Sequence, residues 1–166
     1  MLIKGKKALV TGGSRGIGRE IVLSFLGNGA SVYFLDLNES EFMDEYKALA
    51  KANGAEVYFS KANVADEDEV TAVCEKILTE SGGIDILVNN AGISLIKQIN
   101  DTTAEEYDKI MSVNARSYFL CSREAIKLML KSHEGAIVNV SSMWGQTGAS
   151  CEIAYSMSKA AVIGLT

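Results

Sequence analysis

Apolar residues along this chain fall into two alternating patterns. Short, nearly unbroken runs occur at Ala8-Leu9-Val10, Val32-Tyr33-Phe34-Leu35, Val57-Tyr58-Phe59, Ile84 to Val88 and Ala136 to Val140. Continuous rather than every-other-residue hydrophobicity marks strands covered on both faces, as in a parallel sheet flanked by helices. Between the runs the spacing changes to three and four. Val70, Val73, Cys74, Ile77 and Leu78 form one helical stripe. Ile17, Ile21, Val22 and Phe25 form a second, Phe42, Met43, Tyr46, Leu49 and Ala50 a third, and a longer helix is predicted from Tyr107 to Leu130. Asn28-Gly29 and Asn53-Gly54 read as helix C-terminal caps, and Asp66 with Glu69, and Thr102 with Glu105, as capping boxes. Strand and helix alternate throughout, with no internal repeat or linker. That order predicts an α/β fold with a doubly wound parallel sheet, in one domain over residues 1–166.

Composition narrows the function classes. The net charge is −5, and the lysines and arginines are scattered apart from Lys4-Gly5-Lys6-Lys7. A surface built for nucleic acid or an anionic membrane is therefore not expected, and the small basic cluster is read as solvating the entry to the first strand. No apolar run approaches the roughly 20 residues needed to span a bilayer, and Met1-Leu2-Ile3-Lys4 is too soon charged for a signal peptide. Cys74, Cys121 and Cys151 lack metal-type or CxxC spacing and read as reduced, mostly buried thiols of a cytoplasmic protein. His133, the single histidine, sits in a polar stretch and is read as a solvated turn residue, so neither a zinc site nor a serine–histidine triad is expected.

The chemistry-bearing segments sit at the ends of the predicted strands. Directly after the first run comes Thr11-Gly12-Gly13-Ser14-Arg15-Gly16-Ile17-Gly18, leading into a helix. Glycines let backbone approach a pyrophosphate, and the helix N-terminus supplies amide donors and a favourable dipole. The spacing is not that of the general dinucleotide fingerprint, and glycines can also serve a bare strand-to-helix turn. Asp36 ends the second run, 18 residues past Gly18, where a carboxylate can accept from ribose hydroxyls and repel a 2′-phosphate. It could equally cap the next helix, and Arg15 could instead pair with such a phosphate. Asn89-Asn90-Ala91-Gly92 follows the fourth run, either as a polar turn or as one that faces a ligand.

Tyr155 and Lys159, four apart, share one face of a predicted helix. A phenol with a pKa near 10 is a poor acid/base at neutral pH, and a neighbouring ammonium favours the phenolate. Such pairs also occur on solvated helices. Ser142, just past the fifth run, could hydrogen-bond a substrate oxygen and hold it towards Tyr155, and Ser141 could do so in its place. Asn114 lies on the stripe Tyr107, Met111, Asn114, Tyr118 and reads by itself as a satisfied structural amide.

Taken together these segments resemble the short-chain dehydrogenase/reductase family. Thr11 to Gly18 is similar to its TGxxxGxG loop, Asn89 to Gly92 to its NNAG turn, and Tyr155 to Lys159 to its YxxxK pair. Ser142 precedes Tyr155 by the family's interval of 13, and Ser112-Val113-Asn114-Ala115 resembles its VN segment. The resemblance implies a Rossmann-type fold and hydride exchange between a nicotinamide cofactor and an alcohol or ketone, with Asn114, Ser142, Tyr155 and Lys159 as the catalytic set. Ser142 would position the substrate oxygen, Tyr155 would exchange the proton, and Lys159 would assist it and hold the nicotinamide ribose. Asn114 would help organise a relay water. Cofactor binding is expected from Gly12, Ser14, Arg15, Gly16, Ile17, Gly18, Asp36, Asn63, Val64, Asn90, Ala91 and Gly92, with Tyr155 and Lys159. Asp36 favours NAD over NADP. Asn63 departs from the Asp usual before Val64.

The members it resembles most are 3-oxoacyl-carrier-protein reductases and small NAD-linked alcohol, polyol, sugar or steroid dehydrogenases. NADP-dependent 3-oxoacyl thioester reduction is one alternative, and a non-catalytic dinucleotide-binding fragment or self-associating scaffold is another. A homo-oligomer through helices 103–131 and 153–166 is expected. The segment from Ser156 to Thr166 carries no glycine cap or proline stop, and no proline occurs where average usage of ~5% would give roughly eight. The chain is accordingly expected to be truncated after the catalytic helix begins, without the family's later strands and substrate loop.

Overall fold

A computed structural model describes residues 2–130 and 134–166; His133 lies outside the described residues. Five strands, β1 (Lys7–Thr11), β2 (Ser31–Asp36), β3 (Val57–Lys61), β4 (Ile86–Asn89) and β5 (Ala136–Asn139), form one parallel sheet in the order β3-β2-β1-β4-β5. The helices are α1 (Gly16–Gly27), α2 (Met43–Ala52), α3 (Glu67–Ser81), α4 (Ala104–Met111), α5 (Ser117–Met129), α6 (Trp144–Thr147) and α7 (Ile153–Leu165), with a π-helical segment, Ser112–Arg116, between α4 and α5.

The unbroken apolar runs are explained by two cores. Leu9, Tyr33 and Leu35 point to one side, against Val70, Val73, Cys74 and Ile77 of α3 and Leu120, Cys121 and Ala125 of α5. Val10, Val32 and Phe34 point to the other, against Val22 and Leu26 of α1 and Tyr46 and Ala50 of α2. Because successive strand residues face opposite ways, two covered faces demand apolar side chains at every position. β3 and β5, at the two sheet edges, depart from this: Tyr58 is 36% exposed and Val138 51%.

Several local expectations are corrected. Ile17 is not on the packed stripe of α1; it is 66% exposed, and the buried line is Gly18, Val22 and Leu26. The small Gly18 lets α1 approach the sheet, which turns the helix by one position. The α4 capping box uses Thr103 and Glu106, not Thr102 and Glu105, because the Thr102 hydroxyl donates to the Gln98 carbonyl and closes the preceding turn. Asp66 does cap α3, accepting from the amides of Asp68 and Glu69, but the Glu69 carboxylate turns to the Asn63 amide instead of completing a box. The basic cluster does more than solvate: Lys6 pairs with Asp85 at 3.1 Å, and the Lys7 ammonium donates to the Ser81 carbonyl. Lys6 thus ties the start of β1 to the residue before β4, and Lys7 ties it to the end of α3; β4 opens at Ile86 and not at Ile84. Asn28-Gly29 and Asn53-Gly54 cap their helices as expected, with both glycines at positive φ. Cys74 and Cys121 are buried and Cys151 is half-buried, all as free thiols. Among the described residues no helix is long and apolar enough to cross a membrane.

Candidate active site

Strand order reverses between β1 and β4, the position where the loops at the carboxyl ends of a parallel sheet part to leave a crevice. A cavity of about 770 Å³ lies there. It is lined by Gly12, Arg15, Gly16, Ile17, Gly18, Asp36, Asn63, Val64, Asn90, Ala91, Gly92, Tyr155 and Lys159, together with Leu37, Ile93, Ser94, Lys109, Ser112, Val113, Val140 and Ser141. The exposed Ile17 is thus turned to the cavity. Ser14, Asn114 and Ser142 stand behind or beside the lining. A second, more open depression of about 940 Å³ lies between α1 and α2, lined by Ile17, Phe25 and Phe42 and by the ion-paired Arg19 and Glu20.

The glycine loop is held by packing and by hydrogen bonds. A Cβ on Gly18 would lie 1.9 Å from the Gly12 carbonyl oxygen, and one on Gly13 would lie 2.7 Å from Phe34 Cβ. Gly12 and Gly16 adopt positive φ. Tyr46 of α2, fully buried, donates its hydroxyl to the Gly13 carbonyl at 2.9 Å, and burial pushes its phenol pKa up. The Asn90 amide donates to the carbonyls of Thr11 and Gly12 at 3.0 and 3.2 Å, while the Thr11 hydroxyl accepts from the amides of Asn90 and Ala91, both at 3.0 Å. One hydroxyl and one amide therefore bind the turn after β4 to the loop after β1. No side chain caps the first turn of α1 and no acid lies in it, so its amides remain available to an anion. A dinucleotide pyrophosphate fits this cradle.

Asp36 is engaged already. Its carboxylate accepts from the amides of Ser14 at 3.1 Å and Leu37 at 2.8 Å. The Ser14 hydroxyl donates to the Asn38 carbonyl at 2.6 Å, and Ser40 donates to the Ser14 carbonyl at 2.9 Å. Ser14 is therefore a clasp between two loops rather than a residue of the cavity wall. Asn63 closes its own turn, its side-chain oxygen accepting from the Ala65 amide at 3.1 Å.

At the other end of the cavity, α7 presents Tyr155 and Lys159. Lys159 is 3% exposed, and burial lowers its ammonium pKa to about 8. Its Nζ donates to the Val140 carbonyl at 2.7 Å and the Tyr118 hydroxyl at 3.2 Å, and lies 5.9 Å from the centre of the Tyr155 ring. Asn114 is fully buried in the π-helical segment. Its oxygen accepts from the Ile93 amide at 2.8 Å, and its nitrogen donates to the Ile93 carbonyl and to Ser158 Oγ. It joins the turn after β4 to α7. Ser142 Oγ accepts from the Trp144 amide at 3.2 Å, which leaves the hydroxyl proton free to donate. Ser141, which lines the cavity, spends its hydroxyl proton on the Lys159 carbonyl at 2.8 Å. The sequence reading missed Thr11, Tyr46 and Tyr118 as site-forming groups. Tyr118, four residues after Asn114, was legible only as one more apolar position of a helical stripe.

Comparison with known proteins agrees with this architecture. The short chain dehydrogenase family matches residues 6–166, and the chain belongs to it. A cyclopentanol dehydrogenase from Comamonas sp. (strain NCIMB 9872) is 42% identical over 160 residues, covering 96% of this chain and 64% of the relative. A 3-oxoacyl-[acyl-carrier-protein] reductase from Staphylococcus aureus is 38% identical over 161 residues, covering 97% and 65%. The structure of NAD+-bound xylitol dehydrogenase superposes with a TM-score of 0.92 at 29% identity, covering 100% of this chain and 64% of that one. The chain thus spans just under two thirds of the length of these relatives.

Proposed function

We propose that residues 1–166 form a single cofactor-binding and catalytic domain of an oxidoreductase that exchanges hydride between NAD(H) and a secondary alcohol or ketone. The observation that carries this reading is one cavity that contains both a glycine loop at a helix N-terminus and the Tyr155–Lys159 pair. The relatives point to the substrate class. Cyclopentanol, xylitol and 3-oxoacyl groups share a secondary alcohol or ketone carbon.

A bound nicotinamide supplies or accepts the hydride. The chain's own groups handle the oxygen and its proton. Tyr155 Oη gives a proton to the carbonyl oxygen in reduction, or takes it from the hydroxyl in oxidation. Lys159 supplies positive charge beside the phenol and a donor towards the cofactor ribose. Ser142 holds the substrate oxygen with the proton that Trp144 leaves free. Asn114 sets the position of Ile93 and of α7 through its side chain.

For the cofactor, Asp36 supports NAD(H). Its carboxylate is fixed at the cavity wall by two amides, and it would oppose a 2′-phosphate there. Fluorescence titration of the full-length protein tests this: NADH should bind at least about tenfold more tightly than NADPH, a difference of ~1.4 kcal/mol. Tighter NADPH binding overturns the assignment of Asp36. Self-association through helices 103–131 and 153–166 is part of the proposal, supported by exposed Phe119, Ile126, Met157 and Ile163 on α5 and α7.

A further inference from the structure

The hydrogen bonds around Lys159 assign a role to a residue outside the acid/base set. We infer that Tyr118 is a positioning residue that seats the Lys159 ammonium, its phenol oxygen serving as a neutral acceptor on the buried side of the cation. The inference rests on the reading of Lys159 as the cation of the proposed site.

Tyr118 is in the first turn of α5, directly after the π-helical segment, and its side chain is fully buried. Its hydroxyl has one proton, donated to the Val140 carbonyl at 3.1 Å. The oxygen's lone pairs are left for Lys159 Nζ at 3.2 Å, and Nζ also donates to the same Val140 carbonyl at 2.7 Å. Phenol, ammonium and carbonyl close a three-membered ring of hydrogen bonds at the end of β5. Two of the three ammonium protons are thereby consumed on the protein side, and the third is left for the cavity. The ring of Tyr118 adds a face to the cation, its centre 5.1 Å from Nζ.

The π-helical segment sets this geometry. The Ser117 amide reaches back five residues to the Ser112 carbonyl, and the Ser117 hydroxyl donates to the Val113 carbonyl in its place. One extra residue in the turn rotates the start of α5 by about 100° relative to a continuous α-helix. Asn114 is thereby held on Ile93 and Ser158 while Tyr118 meets Val140 and Lys159.

A buried ammonium without a carboxylate needs such acceptors. Among the described residues, the titratable groups that meet Lys159 are Tyr118 from α5 and Tyr155 from α7 itself. The end of β5 presents only the Val140 carbonyl, and the turn after β4 presents Gly92. Neutral oxygens that accept from the charged form favour it, and so oppose the desolvation that drives the ammonium to deprotonate. Burial also pushes the Tyr118 pKa up, so the phenol keeps the proton it gives to Val140 throughout the working range.

The test is a pH titration of the Lys159 side chain by NMR in the full-length protein and in Tyr118→Phe, which keeps the ring and removes the oxygen. In the unaltered protein the midpoint is expected at about 8. In Tyr118→Phe it is expected to move down by about 1 on the pH scale. The alkaline limb of kcat should move with it, while KM for NADH changes by less than about threefold. An unmoved midpoint in a folded Tyr118→Phe overturns the seating role. A shifted midpoint in a protein that oxidises no alcohol leaves the seat standing and removes the proposed function instead.

Discussion

The two halves of the sheet hold their parts of the site in different ways. In the first half β1 and β2 are covered on both faces, and the loop that would receive a pyrophosphate is tied down by Thr11, Ser14, Ser40, Tyr46 and Asn90 through bonds to backbone. From β4 to α7 the edge strand β5 leaves Val138 half exposed, and the acid/base pair hangs on a few long-range contacts made by Asn114, Tyr118 and Ser141. Rigid recognition and exposed chemistry are therefore separable. A lesion in one half should leave much of the other intact.

The largest separation is expected from Tyr155→Phe in the full-length protein. Turnover should fall by at least ~10²-fold, because the exchangeable proton is gone, while NADH affinity stays within a few-fold. Near-normal turnover in that variant would assign the proton to another group. On the binding side, Gly18→Ala places a methyl against the Gly12 carbonyl, which is backbone, and against the Asn90 side chain that is bonded to it. Cofactor affinity should fall by at least tenfold in a calorimetric titration.

Core substitutions probe the packing difference directly. Leu9→Ala, under both flanking helices, should cost about 2–5 kcal/mol in chemical denaturation. Val138→Ala should cost less than ~0.5 kcal/mol in this chain. Equal costs would mean that the edge strand is as well covered as the centre. Asp36→Ser should narrow the preference for NADH over NADPH, and it should also lower stability by about 1 kcal/mol because the Ser14 amide loses a charged acceptor. A changed preference at unchanged stability would show that the clasp does not depend on Asp36.

The smallest effect is in the pH dependence of stability. Burial pushes the thiols of Cys74 and Cys121 up to about 12, so the folded chain keeps two protons that the unfolded chain loses near pH 9. Their contribution is fully present below pH 9 and declines as pH rises towards 12. Lys159 runs the other way. Its folded pKa of about 8 lies below the ordinary lysine value, so its contribution is present above pH 10.5 and is lost as pH falls through 8. Two groups outweigh one, and the melting temperature under reducing conditions should decline modestly between pH 9 and 10. Cys74→Ala with Cys121→Ala should abolish the decline. A decline that persists in the double variant removes the thiols as its cause.

The sheet, the order of its elements and the glycine loop were all legible in the residues alone. Unbroken apolar runs are a direct imprint of strands buried on two faces, and the Tyr155–Lys159 spacing puts both side chains on one helical face whatever surrounds them. Most of the cavity wall was legible too, since the ends of parallel strands and the loops after them share one edge of the sheet. Helix phase and side-chain partnership emerged only with the folded chain. Periodicity could not tell the Ile17 face from the Gly18 face of α1, because a glycine carries no hydrophobic signal yet allows the closest approach. It could not show that Ser14 clasps a loop, that Ser141 is spent on the Lys159 carbonyl, or that a π-helical turn brings Tyr118 to Lys159 across 41 residues. Such contacts depend on which surfaces meet, and hydrogen bonds between distant segments leave no periodic trace in a single chain.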